Sequence, residues 1–267
     1  MIPVGDSVRS RTFPYVNVAI IALNFLVFFY EVGLPEISRN EFLCDWGAIP
    51  RELRDFVAPP PEPELAIGPC GLYTSDVDAG VLLRPFSAMF MHAGWLHILS
   101  NMLFLWIFGD NVEDALGHVK YLFFYLFAGL GATAAHTFFN LNDLLPAVGA
   151  SGAIAGVMGA YLVLYPRANI AVLIPWLIIL GAFYVPAVFL IGLWFLLQLF
   201  SGVAAIGTAT GGAGGVAWWA HVGGFVTGML LITLFNPRRR GYYQPPRRRR
   251  RDFWDEGDED EDFFRTL

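Results

Sequence analysis

The sequence predicts an all-α, polytopic membrane protein with six transmembrane helices. Of its 267 residues, 56% are hydrophobic and only 15% are charged, whereas soluble domains are roughly 45–50% apolar and about 25% charged. The charges are also segregated, because residues 119–237 contain only Lys120, Asp143 and Arg167. A stretch so long and so poor in charge cannot form a soluble surface, and it is therefore predicted to lie in a bilayer.

Six apolar segments are predicted to span the membrane. They cover, in order, residues 14–31, 95–112, 119–139, 150–165, 185–201 and 216–235. A seventh apolar piece, 170–183, contains Pro175 and Gly181 and is either an interfacial loop or the start of a long fifth span. The loop is favoured, since Pro186 would break a continuous helix.

The remaining sequence surrounds or interrupts this membrane domain, residues 14–237. Residues 1–13 form a short N-terminal segment, and residues 33–86 form a large loop with nine acidic and four basic residues. The tail, 238–267, carries nine arginines and eight acidic residues, and its composition predicts disorder. The net charge of −6 is thus a sum of opposed blocks, and no nucleic-acid partner is expected.

Basic residues near the span ends predict the orientation, because cytoplasmic loops are enriched in Lys and Arg. With six spans, these residues all fall on one side of the membrane: Arg9, Arg11, Lys120, Arg167 and 238–240. Both termini are therefore predicted to be cytoplasmic, with the loop 33–86 outside. Five or seven spans would put the basic start of the tail outside and break the pattern.

The two cysteines, Cys44 and Cys70, both lie in the outside loop. In an oxidising compartment they could form a disulfide across a separation of 26 residues, and this is favoured over two free thiols. In the chain-entropy model, such a link would contribute roughly 3 kcal/mol to the stability of the loop.

A serine and a histidine stand out inside the apolar segments. Ser151 lies in Gly149-Ala150-Ser151-Gly152 where the fourth segment begins, and His221 lies near the start of the sixth. Polar groups at membrane depth are costly and usually functional, and the predicted topology brings both residues towards the outer side. A serine hydroxyl becomes a nucleophile when a base takes its proton, so His221 is the expected base. With no acidic residue in reach, a Ser-His dyad is the more economical interpretation than a Ser-His-Asp triad.

Three polar residues around the second segment can support this chemistry. His97 and Asn101 are four residues apart and share one helix face, and His92 lies earlier, near the outer entrance. A tetrahedral intermediate needs hydrogen-bond donors for its oxyanion. The N–H of Ser151 at a helix N-terminus, His97 and Asn101 are suitable donors, each worth about 3 kcal/mol.

Glycines in the fourth and sixth segments predict close helix packing. Gly152 and Gly156 are four residues apart, as are Gly224 and Gly228. Small residues at this spacing let helix backbones approach closely, which would bring the serine and the histidine within hydrogen-bond distance.

Each element also has a simpler interpretation. Ser151 alone is more typical of helix packing, a single membrane histidine can be structural or part of a proton path, and His97 with Asn101 can join two helices. His118 and His136 are predicted to be peripheral. A metal site is disfavoured, because no acidic or thiol ligand joins the histidines at a suitable spacing. A small transporter or proton channel would need polar residues through both leaflets, whereas these residues cluster in the outer half.

Taken together, the motifs resemble those of the rhomboid intramembrane serine proteases in their bacterial six-span form. The resemblance covers about residues 1–237. Its most specific parts are Gly149-Ala150-Ser151-Gly152, similar to the family's Gly-x-Ser-Gly, and Ala220-His221-Val222-Gly223-Gly224, similar to its Ala-His-x-x-Gly. The other matching parts are His92, the stretch 97–101, the stretch 109–117 and Arg84.

The resemblance implies a rhomboid-like bundle that cleaves transmembrane protein substrates near the outer, extracytoplasmic face of a plasma (inner) membrane. Ser151 would be the nucleophile and His221 the base, with His97 and Asn101 holding the oxyanion. No metal or organic cofactor is implied, the lipid bilayer is the surrounding partner, and the oligomeric state stays open. Substrate would enter laterally past the fifth span, through the region 185–215.

One position departs from the family pattern. The residue four positions after the serine is often aromatic in the family and can stack on the catalytic histidine, but here it is Ala155. The ring of His221 would then be supported by another side chain, such as Trp218 or Trp219. The main alternative function is a catalytically silent rhomboid-like protein that binds membrane proteins without cutting them, and the presence of all four polar site residues argues against it.

Overall fold

The computed structural model of the chain describes residues 2–174, 182–206, 216–235 and 237. Its framework is helical, because in a bilayer an apolar stretch must satisfy its backbone hydrogen bonds internally. The helices are α1 (Tyr15–Gly33), α2 (Glu36–Trp46), α3 (Pro50–Val57), α4 (Arg84–Ser87), α5 (Trp95–Leu116), α6 (His118–Phe139), α7 (Ser151–Leu164), α8 (Ala187–Ala205) and α9 (Trp218–Leu234), with 3-10 turns at Ala79–Leu83 and Ala88–Phe90.

The apolar helices lie within a few residues of the predicted spans. Within the described residues, α1, α6 and α8 are long and apolar enough to cross a membrane. A fourth crossing results if the segments 79–90 and 95–116, which are bent by 81° relative to each other, count as one span. α7 and α9 are apolar but shorter, with 14 and 17 residues. The helical membrane character is therefore confirmed, and the number of six spans stays a prediction.

The described residues are mostly helical, as the predicted all-α class requires, but they also form short strands that the sequence did not predict. They are β1 (Ile2–Asp6), β2 (Leu65–Gly68), β3 (Gly71–Thr74), β4 (Asn169–Leu173) and β5 (Phe183–Pro186). An antiparallel sheet has the order β1-β4-β5, and β2 pairs with β3 in a hairpin. The sheet escaped prediction because β1 and β4 lie at distant points of the sequence.

Strands form both ends of the seventh apolar piece, 170–183. Its first residues belong to β4 and its last belongs to β5, so it is not a helical extension of the fifth span. Pro186 directly precedes α8, where a proline is compatible with the start of a helix. The middle of the piece, 175–181, lies outside the described part of the chain, as do residues 207–215 of the predicted entry region and the tail 238–267.

The large loop, residues 33–86, has a fold of its own between α1 and α5. A disulfide joins Cys44 in α2 to Cys70 at the turn of the β2–β3 hairpin, with a Cα–Cα distance of 5.6 Å. Arg54 donates to the buried carboxylate of Asp55 at 2.5 Å, and the same carboxylate accepts the hydroxyl of Tyr73 in β3. The disulfide and this charged cluster therefore both tie the hairpin to the helices of the loop.

The same loop anchors the segment that leads into α7. Ala48 and Ala147 exchange two backbone hydrogen bonds of 3.1 and 2.8 Å, and the N–H of Arg51 donates to the carbonyl of Asp143 at 3.0 Å. The approach to Ser151 is thus held by the large loop as well as by the helix that follows.

Helices α7 and α9 run in the same direction with their backbones in contact. A Cβ added to Gly224 would overlap the carbonyl oxygen of Gly152, and one added to Gly228 would overlap that of Gly156. The predicted small-residue packing is therefore present, and it places the first turns of the two helices side by side.

The opposite end of the bundle, where α1 begins and α5 ends, contains a network of polar groups, most of which are buried. We call it the basal end and define it by these residues: Asp6, Asn17, Asn111, Glu113, Tyr121 and Tyr161. The carboxylate of Glu113 accepts the backbone N–H of Val16 at 3.0 Å and that of Asn17 at 2.7 Å. It therefore caps the first turn of α1, where a negative charge is favourable.

Asp6 ties the sheet to the basal end. Its carboxylate accepts hydrogen bonds from Nδ2 of Asn111 at 3.0 Å and from the hydroxyl of Tyr161 at 2.5 Å. Burial raises the pKa of Asp6 to about 6, although the hydrogen bonds from Tyr161 and from the N–H of Val8 oppose that shift. The N-terminal strand is thus attached to both α5 and α7.

Candidate active site

Ser151 and His221 meet at the first turns of α7 and α9. The hydroxyl oxygen of Ser151 lies 2.8 Å from Nε2 of His221, within the range of a hydrogen bond. Ser151 is the first residue of α7, and His221 lies in the first turn of α9. Because the glycine contacts bring these two turns together, residues that are 70 positions apart in the sequence become neighbours.

Gly149 is required by the backbone that presents Ser151. Its φ of +129° lies in the region that favours glycine, and its N–H donates to the carbonyl of Ala88 at 2.8 Å. A Cβ at this position would come within 2.8 Å of the imidazole of His97. Glycine therefore lets the chain turn into α7 while the His97 ring packs against that turn.

The N-terminus of α7 supplies backbone donors beside the Ser151 hydroxyl. The first N–H groups of a helix have no acceptor one turn earlier, and the first such hydrogen bond here runs from Ile154 to the carbonyl of Ala150. The N–H groups of residues 151–153 therefore point out of the helix end, where its dipole is positive. This environment favours a developing negative charge.

His97, Asn101 and His92 gather on the α5 side of the serine. Nδ2 of Asn101 lies 3.0 Å from Nε2 of His92, and the rings of His92 and His97 are 5.0 Å apart between centroids. Asn101 and His92 are both buried, whereas His97 is half-buried against Gly149. His92, His97 and Asn101 thus form one cluster, and its member His97 packs against the turn that precedes Ser151.

Glu31, in the last turn of α1, is a buried acid that the sequence did not place near the site. Its carboxylate accepts the backbone N–H of His92 at 3.1 Å, and the residue is completely buried. Glu31 therefore holds the backbone of the loop that carries His92. It does not contact Nδ1, the second ring nitrogen of His221, which has another side chain as its partner.

That side chain is Gln198, which sequence reasoning missed. Oε1 of Gln198 in α8 lies 2.7 Å from Nδ1 of His221, and Gln198 is only 8% exposed. The signal was available, because Gln198 interrupts an otherwise apolar stretch, 187–200, and polar groups at membrane depth are usually functional. Ser151, His221 and Gln198 form one hydrogen-bonded chain across three helices.

Two tryptophans approach the ring of His221. The centroid of the Trp194 ring lies 5.8 Å away and that of Trp218 lies 6.4 Å away, edge-on at 90°. Trp219, the other side chain expected to support the ring, instead stacks on Phe139 of α6 at 3.7 Å, so of the two expected tryptophans it is Trp218 that approaches the histidine. Ala155 is completely buried and has no ring to place against the histidine.

His118 lies away from this cluster, whereas His136 is near enough to His221 to interact with it electrostatically. Nδ1 of His118 contacts Glu113 at 2.5 Å near the basal end, and His136 bonds with Asn140 at the end of α6. Among the residues that the structure describes, no group of three or more His, Cys, Asp and Glu side chains is arranged to hold a metal ion.

Comparison with known proteins gives the family of the chain. Residues 79–238 match the model of the Rhomboid domain, which is more than half of the 267 residues. The chain belongs to the rhomboid family. The matched region includes Ser151, His221 and Gln198, and it leaves α1 and most of the large loop of this rhomboid, residues 33–86, unmatched.

Three relatives illustrate the extent of the similarity. RHOMBOID-like protein 1 of Arabidopsis thaliana is 29% identical over 232 residues, which are 84% of this chain and 54% of that protein. RHOMBOID-like protein 2 of the same plant is 35% identical over 157 residues, 58% of this chain and 43% of that protein. Rhomboid protease GluP of Bacillus subtilis (strain 168) is 38% identical over 79 residues, 30% of this chain and 15% of that protein. The chain thus spans about half or less of the length of these relatives.

Proposed function

We propose that this rhomboid is an intramembrane serine endopeptidase that uses a dyad of Ser151 and His221. The observation that carries the proposal is the 2.8 Å hydrogen bond between Oγ of Ser151 and Nε2 of His221. A serine and a histidine in this geometry have the roles of nucleophile and general base. The name of the Bacillus subtilis relative, a rhomboid protease, supports the same activity.

The reaction proceeds through an acyl-enzyme. Oγ of Ser151 attacks the carbonyl carbon of the scissile peptide bond while its proton moves to Nε2 of His221, giving a tetrahedral intermediate. As the C–N bond breaks, His221 gives the proton to the leaving amine, and an ester remains on Ser151. Water then attacks the ester while His221 accepts its proton, and that proton returns to Oγ as the new carboxylic acid leaves.

The negative oxygen of each intermediate would be stabilised by the donors around Ser151. One is the N–H of Ser151 itself, at the positive end of α7, and the others are the side chains of His97 and Asn101. Asn101 has a second N–H hydrogen besides the one directed at His92, so His92 would orient the amide without consuming it. Each such donor can contribute about 3 kcal/mol to transition-state stabilisation.

We place the chain in the plasma membrane with six spans, both termini cytoplasmic and the site open to the extracytoplasmic side. The two shorter apolar helices, α7 and α9, are the added spans. At 1.5 Å per residue, α7 is about 21 Å long, which is less than the roughly 30 Å hydrocarbon core. Ser151 would then lie below the outer surface of the membrane. At that depth, a non-helical backbone such as that of Gly149 must be buried in protein or line a water-filled cavity.

The expected substrates are transmembrane proteins whose helix unwinds easily near the outer membrane face. A regular helix protects its peptide bonds by sterics and by hydrogen bonding, so Gly, Pro or small residues are expected near the scissile bond. Entry past α8 is consistent with the apolar side chains that this helix exposes, such as Leu193, Leu197 and Phe200.

Labelling with a serine-directed fluorophosphonate tests the nucleophile. The purified protein in detergent is compared with Ser151→Ala, His221→Ala and a control, Thr233→Ala, which removes a hydroxyl that bonds within α9 to the carbonyl of Leu230 at 2.7 Å. We expect the wild type and the control to be labelled, with the probe mapped to Ser151 by mass spectrometry, and the other two variants to stay unlabelled.

The absence of labelling in the wild type would favour a different function. A folded wild type that neither reacts with the probe nor cleaves a transmembrane reporter would contradict the protease and favour a catalytically silent rhomboid that binds membrane proteins.

A further inference from the structure

Gln198 is a buried polar side chain of α8, and it contacts the proposed base, His221. It is 8% exposed, and its Oε1 lies 2.7 Å from Nδ1 of His221. We infer that Gln198 is a positioning residue that fixes the tautomer and the ring orientation of His221. The inference rests on the proposed dyad and adds a third residue to it.

The chemistry of the contact explains how Gln198 would act. The oxygen of an amide side chain only accepts hydrogen bonds, so Nδ1 of His221 must carry the proton that they share. A neutral imidazole with its proton on Nδ1 has a free lone pair on Nε2. Nε2 is the nitrogen that faces Oγ of Ser151 at 2.8 Å, so the glutamine selects the tautomer that can act as a base.

The side chains around the imidazole ring of His221 indicate that α8, rather than α7, supports it. Ala155 is buried and has no ring to stack on His221, so α7 does not supply the support. Trp194, whose ring centroid lies 5.8 Å from that of His221, precedes Gln198 by one helical turn and lies on the same face of α8. α8 therefore contacts both the ring and the nitrogen of His221.

This arrangement links the state of α8 to catalysis. The residues that α8 buries are Ala187, Ile191, Gln198 and Gly202, and much of the remaining surface of the helix is exposed and apolar. A displacement of α8 from α9 would separate Gln198 from His221 and leave the base free to change tautomer. Catalysis therefore requires α8 to lie against α9 after a substrate has entered.

Two substitutions separate positioning from packing. Gln198→Met keeps a long unbranched side chain and removes the carbonyl, whereas Gln198→Glu keeps an acceptor oxygen. The matched control is Leu230→Met on the outer face of α9, at a position that is 61% exposed. Each protein is assayed for kcat and KM on a transmembrane reporter in proteoliposomes, and the imidazole nitrogens of ¹⁵N-histidine-labelled protein are assigned by NMR.

We expect Gln198→Met to lower kcat by about 10- to 100-fold, because the fraction of His221 in the basic tautomer and orientation falls. KM should change by less than about twofold, and the control should match the wild type. Gln198→Glu should recover most of kcat. In the spectra, His221 should carry its proton on Nδ1 in the wild type and on a mixture of both nitrogens in Gln198→Met.

The inference is overturned if Gln198→Met retains either the wild-type kcat or the wild-type tautomer, or if Gln198→Glu is as slow as Gln198→Met. A wild type that fails to cleave the reporter would count against the proposed protease. In that case the ¹⁵N spectra still decide the role of Gln198, because an unchanged tautomer in Gln198→Met contradicts it without any reference to activity.

Discussion

At the basal end, the carboxylate of Glu113 accepts hydrogen bonds from two backbone N–H groups and contacts His118 as well. At the active-site end, among the described residues, the hydroxyl of Ser151 bonds to one side chain, that of His221. At the basal end, a polar group such as Glu113 has several hydrogen-bond partners. At the active-site end, the backbone N–H groups at the start of α7 have no acceptor among the described residues.

This difference in the number of partners distinguishes polar groups that stabilise the fold in a membrane from polar groups that are available for chemistry. A buried group with several partners is held in one position and stabilises the helices around it. A hydroxyl with one acceptor and nearby unused donors keeps the capacity to bind a substrate and its oxyanion. The active-site end is held instead by contacts such as that of Gly224 with Gly152, so its geometry depends on backbone packing.

Gly228→Ala should have the largest effect, because it breaks this packing without touching the dyad. The added methyl group would overlap the backbone of Gly156 and force α7 and α9 apart, at a cost of about 1–3 kcal/mol in the free energy of unfolding. We expect cleavage to fall by more than tenfold, since Ser151 and His221 lie on the two helices. Reporter cleavage and SDS-induced unfolding in mixed micelles measure the two effects.

Gly192→Ala is the matched control for this substitution. Gly192 lies in α8 with no atom within 4 Å of an added Cβ, so it should keep both activity and stability. Equal behaviour of the two variants would contradict the role of the glycine contacts.

Glu113→Ala should weaken the fold and spare the chemistry. It leaves the N–H groups of Val16 and Asn17 without the carboxylate that accepts them, and an unsatisfied buried group costs about 1–3 kcal/mol. Tyr161, the basal-end residue of α7, lies ten residues after Ser151, or about 15 Å along the helix, so the folded fraction should label with fluorophosphonate at the wild-type rate. Thermal unfolding and labelling of the folded fraction test both statements.

Glu113→Gln is the conservative comparison, because it keeps an acceptor oxygen and should lose less stability than Glu113→Ala. A folded Glu113→Ala protein that no longer labels would show that the two ends are coupled, contrary to the comparison drawn above.

Asp6→Asn should have the smallest effect, and that effect should depend on pH. Burial raises the pKa of Asp6 from 3.8 to about 6, so protonation favours the folded state. This contribution is fully present below about pH 4 and is lost as the pH rises through 6. We therefore expect Asp6→Asn to be more stable than the wild type at pH 7.5, with a difference in Tm that shrinks as the pH falls to 5. A Tm difference that is constant with pH would contradict this account.

Apolar runs and composition were sufficient to locate the helices and to single out Ser151 and His221, whose side chains lie 2.8 Å apart. The apolar segments are long, so their positions follow from local sequence, and Ser151 and His221 are conspicuous because they are polar in an apolar setting. The small-residue spacing in α7 and α9 also predicted which helices would meet.

Contacts between distant segments could not be obtained in this way. Nothing local in α8 shows that Gln198 faces His221, because its direction depends on how α8 docks on α9. The pairing of β1 with β4 joins residues such as Ile2 and Leu173, and the contact of Glu31 with the backbone of His92 joins α1 to a loop. These features follow from tertiary packing, which periodicity does not encode.

The most direct test of the central claim is cleavage of a transmembrane reporter in proteoliposomes by the wild type and by Ser151→Ala, with both fragments identified by mass spectrometry. We predict that the wild type cuts the reporter within or beside its membrane helix, near one membrane face. Ser151→Ala should reduce the rate by roughly 1,000-fold or more. Cleavage by Ser151→Ala at the wild-type rate would contradict the account.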